Sequence, residues 1–176
     1  MQIVLVRHTS VDVPKEMCYG QTDVPLRSSF QNEAQITEQK LRQFGPFDCI
    51  YSSPLSRCVR LAEYCGFLHP ELDDRLMEIN FGAWEMVPFD ENPDPRLLEW
   101  YDDYLHVRAT EGESLMDQYE RVSAFMAELL NRSYKNVLIF AHGGTLLCIG
   151  VYLKLYTFDT AFSHQLPYGG VEMVQA

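Results

Sequence analysis

The sequence predicts an α/β fold, a three-layer, doubly wound and mostly parallel sheet flanked by helices. Three observations carry that expectation. Short apolar runs rich in β-branched residues recur along the chain, helical apolar stripes lie between them, and the two kinds of segment alternate. A length of 176 residues suits a single domain spanning 1–176, large enough to bury a real core.

The elements follow in order. Ile3 to Val6 is apolar without alternation, as in a strand buried on both faces. Phe30, Ala34, Leu41 and Phe44 fall on one helical stripe that Gly45-Pro46 ends. Asp48 to Ser52 reads as a second strand. Leu55, Cys58, Val59, Ala62 and Cys65 make a second helical stripe, closed at Gly66. Ser53 is placed to cap that helix, and Pro54 suits its first turn. Residues 84–111 break the rhythm with Pro88, Pro93, Pro95, many acids and five aromatics. That stretch reads as an aromatic and acidic insertion or lid with one helix near Arg96 to Val107. Leu115, Tyr119, Val122, Phe125, Met126 and Leu129 form the third stripe, opened by Ser114 with Asp117 three residues on, a capping-box pattern. Asn136 to Ala141 is another buried strand. Leu166 to Gly170 suggests a turn, and Val171 to Val174 a short final strand.

Composition narrows the function classes. Hydrophobic residues at 47% and charged residues at 22% are ordinary for a globular domain. A net charge of −11 speaks against nucleic acid and anionic membrane as partners. It would also repel a phosphate ester, so a phosphate site has to gather its few cations locally. The five cysteines are odd in number and lack paired C-x-x-C spacing, so core thiols are expected and no metal site. Met1 to Arg7 has no basic n-region and no apolar run reaches spanning length, which makes the cytoplasm the default expectation.

Four places carry chemistry. Arg7-His8 follows the first strand, where ligands bind in open α/β sheets. Ala141-His142-Gly143-Gly144-Thr145 repeats that arrangement at the end of another strand, with glycines that let a ligand approach the backbone where a helix begins. Arg57 follows Ser53-Pro54 in the first turn of a helix, where a cation gains nothing from the helix dipole and an anion nearby would answer it. Glu78 sits in sequence among Leu76, Met77, Ile79 and Phe81. A carboxyl in apolar surroundings beside a phosphate dianion is expected to hold its proton longer and act as an acid near neutrality. Glu85 reads as a supporting residue.

Arg7-His8, Ser53-Pro54-Leu55-x-Arg57, Glu78-x-x-Phe81-Gly82-x-Trp84-Glu85, Gly112-Glu113-Ser114 and His142-Gly143-Gly144 together resemble the histidine phosphatase (phosphoglycerate mutase-like) superfamily, in order and rough spacing, from the first strand through residue 147. The resemblance implies a phosphomonoesterase without a metal or other cofactor. By it, His8 is the phosphorylated nucleophile, Arg7, Arg57 and His142 clamp the phosphoryl oxygens, and Glu78 donates the proton. A small phosphorylated substrate enters and inorganic phosphate leaves. Members commonly read Arg-His-Gly-Glu-Thr with an asparagine a few residues on, whereas this chain has Thr9 and Ser10 after His8. Gln21, in a loop that looks like the family's glycine-x-x-aspartate-x-proline-leucine run, is the candidate replacement donor. Gly143 is expected at the substrate, and Trp84 or Trp100 against its apolar part.

Within the family, residues 18–26 and the short chain look like α-ribazole phosphatases. Three other readings compete: a broad-specificity phosphatase, a phosphoglycerate mutase, and a non-catalytic phospho-ligand-binding domain. Mutases of the family are usually longer, and a binding domain would be expected to have lost one of His8, Arg57, Glu78 and His142. A metal hydrolase built on the two histidines is weaker still, because no ligand cluster of the right spacing supports it.

Overall fold

The computed structural model describes residues 1–176. Its strands are β1 (Gln2–Arg7), β2 (Cys49–Ser52), β3 (Glu71–Leu72), β4 (Asn136–Ala141) and β5 (Val171–Gln175). The helices are α1 (Phe30–Leu41), α2 (Ser56–Tyr64), α3 (Arg96–Asp102), α4 (Leu115–Leu130), α5 (Gly143–Tyr152) and the single turn α6 (Phe158–Ala161). One sheet holds all five strands in the order β3-β2-β4-β1-β5. Its pairs are parallel except β1 with β5, which run antiparallel.

Alternation of side chains divides the central strands between two cores. Val4 and Val6 of β1 and Leu138 and Phe140 of β4 pack with Ala34 and Leu41 of α1 and Cys58, Leu61 and Ala62 of α2. The other face sets Ile3, Leu5, Val137 and Ile139 against Val122, Phe125, Met126 and Leu129 of α4 and Leu146 and Ile149 of α5. Three layers result because β1 and β4, apolar on both faces, need a cover on each side. Residues 84–111 add a small core of their own, in which Trp84 and Leu97 join Cys18 and Ala109. No helix is long and apolar enough to cross a membrane. All five cysteines are free.

Three local expectations change. The residue leading into α2 is Leu55, with no side-chain cap, rather than Ser53. Ser53 Oγ accepts from the Leu55 N–H at 3.3 Å but is otherwise engaged by His142. Helix α3 stops at Asp102 instead of continuing to Val107. There Asp103 leaves helical geometry, and its carboxylate takes both the backbone N–H and the ring of His106. Strand β3 was not expected, because its two residues are exposed and carry no apolar pattern. The capping box at Ser114 and Asp117 forms as the sequence predicts.

Candidate active site

Parallel pairing brings the chemistry together. Arg7, the last residue of β1, is in register with Ala141, the last of β4, so His8 and His142 leave the sheet side by side. The His8 N–H donates to the Ala141 carbonyl at 3.1 Å, and the two imidazole centroids lie 5.1 Å apart. On the far side of β4, the Ser53 N–H donates to the Phe140 carbonyl at 2.9 Å. Three strand ends therefore meet at the carboxyl edge of the sheet, where open α/β folds bind ligands.

A cavity of about 400 Å³ opens there. Arg7, His8, Arg57 and Glu78 line its floor, and Met17, Phe81, Phe89, Trp100, Tyr104 and Phe162 its wall. Nothing in the chain gathers three or more His, Cys, Asp or Glu side chains into a metal-binding group.

His8 is 2% exposed. Its Nδ1 lies 2.7 Å from the Thr9 carbonyl oxygen, which can only accept, so Nδ1 carries the hydrogen and Nε2 presents a lone pair. Burial, followed by the charges of Arg57 and Arg7, lowers the His8 pKa to about 3 against the opposing pull of the Thr9 carbonyl. The ring is neutral at any physiological pH.

The Arg57 guanidinium is fully buried and held at three points. Its Nε donates to His142 Nδ1 at 3.2 Å, Nη1 to the Thr22 carbonyl at 3.0 Å, and Nη2 to the Gly20 carbonyl. With five N–H groups to offer, it keeps donors for a ligand. Arg7 is held through Nη1 to the Leu166 carbonyl at 2.6 Å, over the ring of Tyr168 at 4.1 Å. Its Nε is buried without a partner.

His142 departs from the phosphoryl clamp expected of it. Its ring is fully buried and is not part of the cavity lining. Burial first, then Arg57 and His8, push its pKa well below the usual value. Nδ1 accepts from Arg57, and Nε2 pairs with Ser53 Oγ at 2.7 Å. The imidazole is thus neutral, and the positive field of the floor comes from the two arginines.

Glu78 also departs from expectation. Its sequence neighbours are apolar, but its carboxylate lies in a cradle of N–H groups. Oε1 accepts from the Ile79 N–H at 3.0 Å and from Gln118 Nε2 at 2.8 Å, and Oε2 accepts from the Gly144 N–H at 3.0 Å. A side chain at residue 144 would stand 2.5 Å from Glu78 Oε1, which is why glycine is needed there.

Residues 3–176 match the model of the histidine phosphatase superfamily (branch 1). The chain belongs to the histidine phosphatase superfamily. It is accordingly a phosphatase with a small phosphorylated substrate. An uncharacterized phosphatase of Bacillus subtilis is 32% identical over 82% of this chain and 72% of its own. The adenosylcobalamin/α-ribazole phosphatase of Escherichia coli is 28% identical over 83% of this chain and 75% of its own. The crystal structure of the α-ribazole phosphatase from Shigella flexneri shares the fold, with a TM-score of 0.89 at 24% identity over 99% of this chain and 90% of that one.

In this histidine phosphatase, Gln21 and Trp84 do not line the cavity. The Gln21 side chain donates to the Glu78 carbonyl at 3.1 Å, so it braces the backbone of that residue and does not take the place of the missing asparagine. Trp84 is 1% exposed, with Nε1 donating to Asp94 at 2.7 Å, and it packs edge-on beneath Trp100. The tryptophan at the cavity is Trp100, stacked on Phe89 with ring planes 19° apart. Gly143 begins α5, and a Cβ there would press on Gln165 Nε2 at 2.6 Å and on the Arg7 guanidinium at 3.2 Å. Gly144, its neighbour, is the glycine that lines the cavity.

The residues missed in the sequence come from two segments. Gln165, Leu166 and Tyr168 fold back over the end of β1, where the Gly169 N–H donates to the His8 carbonyl at 3.0 Å. The sequence marks Leu166 to Gly170 as a turn, with nothing to tie it to the site. Gln118 did leave a signal. It stands three residues after Leu115 and four before Val122, a polar residue on the buried stripe of α4. Glu85 is the brace expected of it, taking the N–H groups of Gln21 at 2.8 Å, Thr22 and Phe81 at 3.1 Å.

Proposed function

We propose that this phosphatase is a metal-independent phosphomonoesterase that passes the phosphoryl group through His8 Nε2 to water, with α-ribazole 5′-phosphate as its preferred substrate. The observation that carries the reading is the two-part cavity, in which a cationic floor with a neutral imidazole adjoins an aromatic wall. Phosphoryl transfer asks the protein for an in-line nucleophile and positive charge on the equatorial oxygens. His8 Nε2 supplies the first. The unpaired Nε of Arg7 and the free donors of Arg57 supply the second. His142 holds Arg57 in plane through Nδ1, so its contribution passes through that guanidinium. Glu78 protonates the leaving oxygen and then takes a proton from the water that cleaves the phosphohistidine.

The wall selects the ester. A planar benzimidazole can stack on Trp100 or Phe89, adding about 1 kcal/mol beyond its burial. The names of the E. coli relative and of the S. flexneri fold neighbour support the same substrate. Phosphoglycerate offers no apolar face to this wall, which counts against a mutase. The deciding measurement is kcat/KM for α-ribazole 5′-phosphate, phosphoserine, 3-phosphoglycerate and a hexose phosphate, with chelator present. Clear preference for the ribazole ester is expected. Equal values would make the enzyme a broad-specificity phosphatase, and loss of activity with chelator would remove the metal-independent mechanism.

A further inference from the structure

Gln118 has no assigned part in the chemistry, yet its side chain is fully buried beside the acid and faces the cavity. Its Nε2 donates to Glu78 Oε1 at 2.8 Å and to Thr145 Oγ1 at 3.2 Å. Thr145 sends its only hydroxyl hydrogen to the Met77 carbonyl at 2.9 Å, so it shows Gln118 a lone pair. The amide must answer with its NH2 end, which sets its orientation. Gln118 Oε1 is left buried without a hydrogen bond. Native proteins seldom leave a buried acceptor unpaired. Here the exception keeps the other end of the amide on the carboxylate.

The two oxygens of Glu78 are consequently unlike. Oε1 receives two N–H groups, from Ile79 and Gln118, which occupy both of its in-plane lone pairs. Oε2 receives one, from Gly144, and keeps a lone pair. We propose that Gln118 is a positioning residue which, with the Ile79 N–H, closes Oε1 to protons and confines the transferable proton of Glu78 to Oε2. The inference rests on Glu78 being the proton donor. As the N–P bond forms at His8 Nε2, the ester P–O bond breaks, its electron pair goes to the leaving oxygen, and that oxygen takes the proton from Oε2. Glu78 is left as the carboxylate its donors already suit. In the second step Oε2 takes a proton from water as the new O–P bond forms, and the N–P electron pair returns to His8.

The test is a leaving-group comparison in Gln118→Leu and Gln118→Met, the second of which keeps an unbranched chain should the first fail to fold. Without the amide the carboxyl loses the side-chain donor that fixes its orientation, and the proton is no longer held at the leaving oxygen. For an alkyl ester such as glycerol 2-phosphate, kcat should fall about tenfold, part of the roughly 10²–10⁴ a general acid supplies, with KM little changed. For p-nitrophenyl phosphate, whose leaving group needs no proton, kcat should stay within about twofold. Combined with Glu78→Gln, the Gln118 change should cost nothing more, because both act on one proton. Equal losses on both esters, or losses that add in the double variant, would overturn the proposal. The single variant Glu78→Gln separates this from the parent reading. If it spares the alkyl ester, Glu78 is not the acid and both fall; if it is leaving-group selective and the Gln118 variants are not, only the role of Gln118 falls.

Discussion

The floor of the cavity stands on residues that are 0–2% exposed, His8 and His142 at the ends of hydrogen-bonded strands packed on both faces and Arg57 in the first turn of α2. Half of the wall, Phe89, Trp100 and Tyr104, hangs instead on residues 84–111, whose core has four buried members and whose helix α3 is seven residues long, with Leu98 and Tyr101 exposed at 71% and 54%. Phosphoryl transfer needs donors held within fractions of an ångström, and a close-packed sheet provides that. Recognition of an apolar leaving group needs area and shape, which aromatic side chains on a segment with a small core can supply. Changes in the floor should therefore strike every ester alike, and changes in the wall should alter preference among esters.

The largest effect is expected from His8→Ala, which should abolish turnover of all esters, because the proposed two-step path would lose its nucleophile. Wild-type enzyme quenched during turnover should carry an acid-labile phosphoryl group on residue 8. Retained activity in the variant would break the comparison at its centre. Arg57→Lys should come next. An ammonium cannot serve the Gly20 carbonyl, the Thr22 carbonyl, His142 Nδ1 and a phosphoryl oxygen together. A loss of about 10²–10³ in kcat/KM, similar for every ester, is expected from removing such a preorganised donor set. A loss confined to one ester would place Arg57 with the wall.

The floor should also make the fold sensitive to mild acid. His8, with its pKa lowered to about 3, and His142, lowered well below the usual value, stay neutral when folded, while the unfolded chain takes up protons below about pH 6.5. The unfolded state then binds more protons, so stability falls as the pH drops through that window, by up to about 1.4 kcal/mol per pH unit for each histidine. Between pH 6.5 and 5 this effect precedes the titration of the acids. Denaturant unfolding at pH 7, 6 and 5 in phosphate-free buffer should show it, with a shallower slope in His8→Asn. A flat profile would contradict the neutral, buried floor.

The wall should respond more weakly and more selectively. Trp100→Ala should lower kcat/KM for α-ribazole 5′-phosphate about tenfold, the measure of one lost stacking partner, and leave glycerol phosphate nearly unchanged. Uniform losses would show the wall to be a scaffold for the floor. The smallest effect belongs to Trp84→Phe, which removes the hydrogen bond to Asp94 beneath the wall. Stability should fall by about 1–2 kcal/mol in denaturant unfolding, with the order of substrate preference kept. A changed order would return Trp84 to the substrate.

By itself the sequence determined the layered α/β architecture and the segments that deliver the chemistry. Apolar periodicity is a local consequence of burial, and His8, Arg57 and His142 lie at strand ends or in a first helical turn that such patterns mark. Strand order, the neutral state of His142, the N–H cradle of Glu78, the choice of Trp100 over Trp84 and the use of Gln165 to Tyr168 were decided only by the tertiary structure. Each depends on groups far apart in the chain, such as the Gly144 N–H on Glu78 and the Leu166 carbonyl on Arg7. Charge state and hydrogen bonding follow from neighbours in space, and the apolar residues beside Glu78 in sequence are not the ones its carboxylate meets.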